Sequence, residues 1–329
     1  MSLDSPQFGP YCGPPAWFQA CGYVWRNDIR LLDLLVHVSV HERPPGKDSL
    51  LEESCSPFVS ARTFKEVLRF AAPDRLDDVD ARSRGLIHRL IFTPGQEQGA
   101  KLKALLEKGA DPNLPLGKQG SKLKALNPMG IPPLIFCILV GMYDIAMILL
   151  RGGADPMRTG SDGMNAIHAA SFQDKYSILK GIEYGWCGVD WDYRMRDRSS
   201  ALDIAVMLES TSAILFLGRL VRVNHLSAGG LVLPIHLAAK LGKVSNIRAL
   251  HQADADLGAR GKNGMTALHL AAKHNRPGAV RALLGLKKGL SGKKDDKGRT
   301  PFGLARTPKT IKAFRDGHQA GGRGFKGSG

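Results

Sequence analysis

The stretch "GMTALHLAAKHN", residues 264–275, places a threonine directly before a predicted helix and a histidine in its first turn. Leu268, Ala271 and Ala272 lie three and four residues apart, a spacing that predicts one buried helix face. Histidine is the side chain most easily recruited for proton transfer or metal binding near neutral pH. His269 is therefore either a chemical group or a structural one, and the rest of the chain decides between the two.

Similar stretches recur along the chain at a nearly constant spacing. The clearest copies are "NAIHAAS" (165–171), "SALDIAV" (200–206) and "LPIHLAA" (233–239). The positions equivalent to His269 lie 33 to 37 residues apart, apart from one interval of 47; they are Phe18, Leu51, His88, Ile135, His168, Asp203, His236, His269 and Gly303. A period of this length, sustained over most of the chain, indicates an array of similar units.

Each unit predicts two helices, a turn between them and a projecting loop. Paired alanines such as Ala238 and Ala239 make the first helix thin, whereas Val280, Leu283 and Leu284 give a second helix its apolar bulk. Glycines such as Gly109 and Gly153 are suited to the left-handed residue that ends a helix. The triplets "SDG" (161–163), "KNG" (262–264) and "DKG" (296–298) then supply turn residues before the next unit.

These residues resemble the ankyrin repeat, whose signature is T-P-L-H-x-A-A at the start and G-A-D-x-N at the end. The likeness is strong over 130–306, fair over 78–113 and weak over 1–70. The resemblance implies an all-α solenoid of about nine stacked helix-turn-helix units with β-turn fingers. The first two units and the last are expected to be degenerate caps, because a terminal unit lacks one neighbour.

The resemblance also implies that the repeated histidine is structural and forms hydrogen bonds within and between repeats. We assign this role to His88, His168, His236 and His269. A zinc ion needs several ligands within about 2 Å, whereas equivalent atoms of stacked helices lie roughly 10 Å apart. We therefore predict no metal site.

Three segments are predicted along the chain. Residues 1–76 form degenerate N-terminal units, with a separate helical domain ending near residue 75 as the alternative. Residues 77–316 form the solenoid, with an insertion at 114–129, and residues 317–329 form a disordered, basic, glycine-rich tail. The stretch "TPKTIKAFRDG" (307–317) is predicted to be too short for a full second helix and to form a cap.

Cysteine usage and hydropathy limit the class of protein. The five cysteines are widely spaced, which predicts neither a disulfide framework nor a zinc pair and favours a reducing compartment, the cytoplasm or the nucleus. No secretory signal is visible. The apolar run 131–150 has the length of a membrane span, but Pro132 and Pro133 open it and residues 141–144 divide it into two predicted buried helices.

Catalytic motifs are missing from the sequence. "LGKQGSK" (116–122) has the composition of a phosphate-binding loop in the wrong order, and no metalloprotease, nucleophile-elbow or dinucleotide-binding pattern occurs. We predict that the chain is not an enzyme and needs no cofactor.

The chain is strongly basic, and the basic residues concentrate near its end. The formal net charge is +16, and residues 287–329 hold twelve Lys or Arg against three Asp, a net +9. The predicted function is that of a non-catalytic adaptor or scaffold, which binds a protein with an acidic surface along a concave face of fingers and first helices. The candidate contact residues are Arg158, Asp162, Arg194, Arg196, Asp197, Lys240, Arg260, Lys262, Asn263, Lys273, His274, Lys294, Asp295 and Lys297.

One alternative remains at this stage. A nuclear transcription coregulator, or a subunit associated with a ribonucleoprotein, would use the Lys and Arg residues of 287–326 to contact nucleic acid. Alternatively, the same charges have no binding role and only keep the protein in solution.

Overall fold

A computed structural model describes Val24 and residues 49–78, 85–93, 95–114, 131–224 and 233–320, with side chains up to residue 317. Several predicted features lie outside these residues: the unit around Phe18, almost all of the insertion at 114–129, and the tail from 321 onward.

The described residues form α-helices that come in pairs of a first and a second helix. The first four pairs are α1 (Leu50–Ser54) with α2 (Ala61–Arg69), α3 (Leu86–Phe92) with α4 (Gln98–Glu107), α5 (Pro133–Leu139) with α6 (Tyr143–Arg151), and α7 (Ala166–Phe172) with α8 (Tyr176–Gly185). The next are α9 (Ala201–Leu208) with α10 (Thr211–Leu217), α11 (Pro234–Leu241) with α12 (Val244–Gln252), and α13 (Ala267–Lys273) with α14 (Pro277–Leu286). A 3-10 turn (Phe302–Leu304) and α15 (Pro308–Ala320) complete the series.

Two compact units divide the chain. The N-terminal unit comprises Met1–Cys137 and Met142–Asp155, and the C-terminal unit comprises Ile138–Gly141 and Pro156–Gly329. Where the structure describes the chain, the only β-type pairing is an isolated antiparallel bridge between Arg194 and Ser200. The described fold is therefore all-α, as predicted.

In the N-terminal unit, second helices α2, α4 and α6 pack in succession around a core that includes Phe64, Leu102 and Leu105, all fully buried. Lys101 is buried among them, and its ammonium donates hydrogen bonds to the carbonyl oxygens of Ser54 (3.2 Å) and Ser56 (2.6 Å), just after the last turn of α1. Burial lowers the pKa of Lys101. The Ser54 carbonyl is one that the end of α1 leaves without an intrahelical partner, whereas the Ser56 carbonyl also accepts the N–H of Val59 at 3.2 Å.

In the C-terminal unit, first helices pack on first helices and second helices on second helices. The first-helix row runs α7, α9, α11 and α13, and the second-helix row runs α8, α10, α12, α14 and α15. The paired alanines Ala238, Ala239, Ala271 and Ala272 are fully buried between first helices, as their small size predicts. Short side chains let these helices approach closely, while the second helices supply most of the larger apolar side chains.

Polar side chains tie successive repeats of the C-terminal unit together at the helix ends. The amide of Gln173 donates to the carbonyl of Leu139 at 2.8 Å, and Arg276 donates through Nε to the carbonyl of Lys240 at 3.1 Å. Asp174 accepts the main-chain N–H of Ala213 at 2.9 Å. Each bond spans roughly one repeat, so neighbouring first helices are held in a fixed register.

The C-terminal end differs from the prediction of a short cap. Residues Pro308–Ala320 form a 13-residue helix, and the predicted tail boundary at 317 falls inside it. Thr307 lies at its start and accepts the N–H of Thr310 at 3.4 Å. Phe314 is buried and meets the ring of Phe302 edge-on at 5.5 Å. The prediction was wrong because the lysines and arginines between the apolar positions form an exposed face of an amphipathic helix.

The apolar run 131–150 forms two helices, as predicted. Gly141 adopts a φ of +85° between α5 and α6, a conformation that suits glycine. In the part of the chain that the structure describes, no helix is long and apolar enough to cross a membrane.

Candidate partner-binding surface

His269 is buried and uses both ring nitrogens. The main-chain N–H of Thr266 donates to Nδ1 at 3.1 Å, and the Thr266 hydroxyl oxygen lies 2.8 Å from the same nitrogen. Nε2 donates to the carbonyl oxygen of Arg299 at 3.1 Å, in the loop before the next repeat. These roles require the proton on Nε2. One imidazole thus closes the start of α13 and ties it to the following loop.

The other repeated histidines occupy related positions. His236 is 1% exposed, and its Nε2 lies 3.0 Å from the carbonyl oxygen of Ala259. His88 accepts the N–H of Gly85 at 3.1 Å, and His168 lies 2.6 Å from the side-chain oxygen of Asn165. In each of these two cases the partner is the residue that precedes the first helix.

Asp203 stands where the neighbouring repeats have histidine. Its carboxylate accepts the main-chain N–H and the hydroxyl of Ser200, each at 3.0 Å, and Ser200 accepts the N–H of Asp203 at 3.2 Å. The pair forms a capping box at the start of α9. The shorter aspartate therefore caps its own helix but has no distal ring nitrogen to donate to the next loop.

Burial favours the neutral form of His168, His236 and His269. It lowers the pKa of His168 to about 4, and it also lowers the pKa values of His236 and His269 against the opposing effect of nearby carbonyl groups. Among the described residues, no group of three or more His, Cys, Asp and Glu side chains is arranged to hold a metal ion.

The predicted finger residues near 260 and 295 are linked to each other. Arg260 pairs with Asp296 at 2.8 Å and donates to the carbonyl of Lys294 at 2.9 Å. The carbonyl of Asn263 accepts the N–H of Asp296 at 3.1 Å. Lys262 and Asn263 are exposed at the tip of this loop, and Lys294 and Lys297 are exposed in the next one.

Asp295 is a correction to the predicted contact set. Asp295 is only 4% exposed. Its carboxylate accepts hydrogen bonds from the main-chain N–H groups of Lys297 (3.0 Å) and Arg299 (2.8 Å) and from the guanidinium of Arg299. Burial raises its pKa, but the hydrogen bonds from Arg299 and Lys297 outweigh it and the pKa is lowered overall. Asp295 therefore builds the loop from inside, because turn carboxylates bind nearby main-chain N–H groups.

The earlier finger residues fall into exposed and locally bonded groups. Arg158 and Arg196 are exposed. Asp162 is half-buried and accepts the N–H of Met164 at 2.9 Å, while Asp197 accepts the N–H of Ser199 at 2.9 Å. Arg194 is half-buried and pairs with Asp192 at 3.5 Å.

The predicted first-helix residues form a cluster of positive charge. Lys240 and Lys273 lie four residues after His236 and His269, and both are exposed. Partial burial lowers the pKa of the exposed His274, and the positive charges of Lys240, Lys273 and Arg276 lower it further. Arg276 also donates through Nε to the carbonyl of Lys240 at 3.1 Å, which places it beside the end of α11.

An apolar group that the sequence reasoning missed lies at the same helical positions of the preceding repeats. Phe172 and Met207 lie four residues after His168 and Asp203 and are 47% and 43% exposed. Leu208 and Val140, one position further on, are 46% and 52% exposed. Their apolar character alone matches that of core residues, but their alignment with Lys240 and Lys273 was a sequence signal that they face outward.

We call these exposed positions, which lie four and five residues after the position of the repeated histidine, the first-helix face. Its members in the C-terminal unit are Val140, Phe172, Met207, Leu208, Lys240, Lys273 and His274.

Comparison with known proteins agrees with the repeat architecture. Residues 235–284, which span the α11/α12 pair and most of the α13/α14 pair, match the family described as "Ankyrin repeats (many copies)". The chain has the ankyrin-repeat fold. The solved ankyrin repeat domain of Bcl-3, titled a unique member of the IkappaB protein family, aligns with a TM-score of 0.55 and 22% identity, covering 67% of this chain and 94% of that one. That likeness shows the fold.

Curated relatives share the ankyrin part over a limited length. Inversin of Canis lupus familiaris is 26% identical over 183 residues, 54% of this chain and 17% of inversin. Tyrosine-protein kinase Shark of Drosophila melanogaster is 34% identical over 156 residues, 46% of this chain and 16% of the kinase. The matched part is thus less than a fifth of each relative. Ankyrin repeats, the family matched at residues 235–284, generally mediate protein–protein interaction.

Proposed function

We propose that this ankyrin-repeat chain is a non-catalytic adaptor that binds an acidic protein surface through the first-helix face and adjacent fingers of residues 156–300. The observation that carries the proposal is the exposure of Lys240 and Lys273 near the ends of α11 and α13, which pack against each other, with Arg276 bonded to the carbonyl of Lys240. An anionic partner would relieve the mutual repulsion of these charges on binding.

The fingers extend the same positive charge. Within the residues that the structure describes, seven exposed cations of the candidate set form no ion pair; they are Arg158, Arg196, Lys240, Lys262, Lys273, Lys294 and Lys297. Arg260 is already neutralised by Asp296, and Asp295 is buried, so we assign neither to direct partner contact.

We place the adaptor in the cytoplasm or nucleus. None of the cysteines in the described residues forms a disulfide: Cys55 and Cys137 are buried, and Cys187 is exposed. Burial raises the pKa of Cys137 to about 12, so its thiol is an inert core group. Free thiols of this kind fit a reducing compartment.

Selection of a random twelve-residue peptide library on the immobilised full chain tests the proposal. We expect the enriched peptides to be rich in Asp and Glu, and the variant with Lys240→Glu and Lys273→Glu to lose that enrichment. A matched control makes the same charge change at Lys309 and Lys312, which are exposed on α15. Enrichment without acidic residues, or equal loss in the control, would contradict the proposal.

The nucleic-acid alternative has one supporting feature. Lys309, Lys312 and Arg315 are exposed at spacings of three along α15 and form a basic stripe. A fluorescein-labelled DNA duplex and a single-stranded RNA should show no binding at about 0.15 M salt if the acidic-protein proposal is correct. Binding that weakens steeply with salt and is lost in the Lys309 and Lys312 control variant would favour the alternative.

A further inference from the structure

We infer that the first-helix face binds a segment of a protein partner that is apolar at one end and acidic at the other. The inference rests on the proposed function and specifies the chemistry of the partner. It depends on a change of side-chain type at equivalent positions along one row of helices.

The apolar half comes from the earlier first helices. Phe172 ends α7, Met207 and Leu208 lie at the end of α9, and α7 packs directly against α9. Val140 follows α5, and the bond from Gln173 to the carbonyl of Leu139 holds the end of α5 beside the end of α7. Single exposed apolar residues are ordinary on a protein surface, but these occupy neighbouring helices at matching positions.

The basic half continues the same row. Helix α9 packs against α11, which carries Lys240, and α11 packs against α13, which ends at Lys273. No carboxylate occurs four or five residues after the position of the repeated histidine in any of these first helices. The residues at these positions of α5, α7, α9, α11 and α13 are Leu139, Val140, Phe172, Gln173, Met207, Leu208, Lys240, Leu241, Lys273 and His274. The face therefore changes from apolar to cationic between α9 and α11.

The dimensions of the row set the length of the occupant. Packed helices lie about 8–10 Å apart, so α7 to α13 covers roughly 24–30 Å. An extended chain rises about 3.3 Å per residue, so roughly eight or nine residues reach from Phe172 to Lys273. An apolar cluster and an acidic cluster within one such segment would bury the first half of the face and neutralise the second.

The peptide selection described above distinguishes this inference from the proposed function. On the wild-type chain we expect enriched peptides with Leu, Phe, Ile or Met in one half and Asp or Glu in the other. The variant with Phe172→Gln and Met207→Gln should retain the acidic enrichment and lose the apolar one. It should also bind a wild-type-selected peptide roughly tenfold more weakly, because two apolar side chains no longer become buried.

A matched control and a reciprocal variant complete the experiment. Leu215→Gln changes a 40% exposed leucine on second helix α10 and should leave selection unchanged. Lys240→Gln with Lys273→Gln should remove the acidic preference and keep the apolar one. Urea unfolding midpoints of all variants should match the wild type, since every substituted side chain is exposed.

Three outcomes would overturn the inference. Peptides that are acidic without an apolar half would leave the proposed function standing and refute the two-part partner. Peptides without acidic residues, or no enrichment at all, would refute both. Self-association of the wild type, seen by light scattering and abolished by Phe172→Gln with Met207→Gln, would show that a second copy of the chain covers the apolar half.

Discussion

Nε2 of His269 donates a hydrogen bond to the main-chain carbonyl of Arg299 at 3.1 Å, across 30 residues of sequence. The same ring accepts the N–H of Thr266 at its other nitrogen. A single side chain therefore links the start of one repeat to the loop that precedes the next.

His269→Ala and His236→Ala should each lower the free energy of unfolding by about 1–2 kcal/mol, because buried main-chain groups lose their partners. Urea denaturation measures the loss, and peptide binding by the folded fraction should persist. The control is His274→Ala, which removes an exposed imidazole and should change stability by less than about 0.5 kcal/mol. Unchanged midpoints with abolished binding would refute the structural role.

Acid should destabilise the protein through its buried histidines. The folded-state pKa of His168 is lowered to about 4 from 6.5, so between these values the unfolded chain binds more protons. Stability is fully present above about pH 6.5 and falls towards pH 4, by up to roughly 3 kcal/mol from this residue. Urea midpoints at pH 7.5 and 4.5 measure the change.

A non-ionisable replacement isolates that contribution from the carboxylates that also titrate in acid. His168→Gln should lower stability at pH 7.5 and show a smaller loss on acidification than the wild type. Identical pH slopes in the two proteins would show that His168 keeps an ordinary pKa.

Asp203→Ala should cost about 0.5–2 kcal/mol, the usual range for a lost helix cap. The carboxylate accepts both the N–H and the hydroxyl of Ser200, and Asp203 is 2% exposed. Thermal or urea unfolding measures the cost, with the exposed Glu107 of α4, which makes only a solvent-exposed pair with Lys103, changed to alanine for comparison. Equal effects at both positions would mean that the capping box of α9 contributes little.

The pKa of His274 should rise when neighbouring positive charge is removed. Burial lowers this pKa most, and the positive charges of Lys240 and Lys273 lower it further. The variant with Lys240→Gln and Lys273→Gln should therefore move the imidazole titration to higher pH. NMR titration of the ring protons detects the shift, and Lys309→Gln with Lys312→Gln serves as the control. A titration that stays in place would show that the cation cluster is more dispersed than the structure has it.

Some features could be predicted from the chain because they depend on neighbours within one helix. The period near 33 residues located the first helices, and the cap and histidine spacing placed His269 at the first turn of α13. The division of 131–150 into two helices followed from Pro132, Pro133 and Gly141. Local spacing was sufficient because a helix brings residues three and four apart onto one face.

Contacts between repeats determined the rest. Asp295 was predicted to face a partner, yet the turn made with Lys297 and Arg299 buries its carboxylate. Residues 307–317 were predicted to be a short cap, yet α15 continues to Ala320. It packs against α14, and its Phe314 contacts Phe302.

The sequence by itself determined the repeat, its helix starts and the positions of its histidines, since these are set within about thirty residues. Only the tertiary structure decided which apolar residues stay exposed. Phe172 and Met207 have the same apolar character as core residues, yet they are 47% and 43% exposed. A linear pattern records the direction of a side chain on its own helix, whereas burial depends on what the neighbouring repeat places over it.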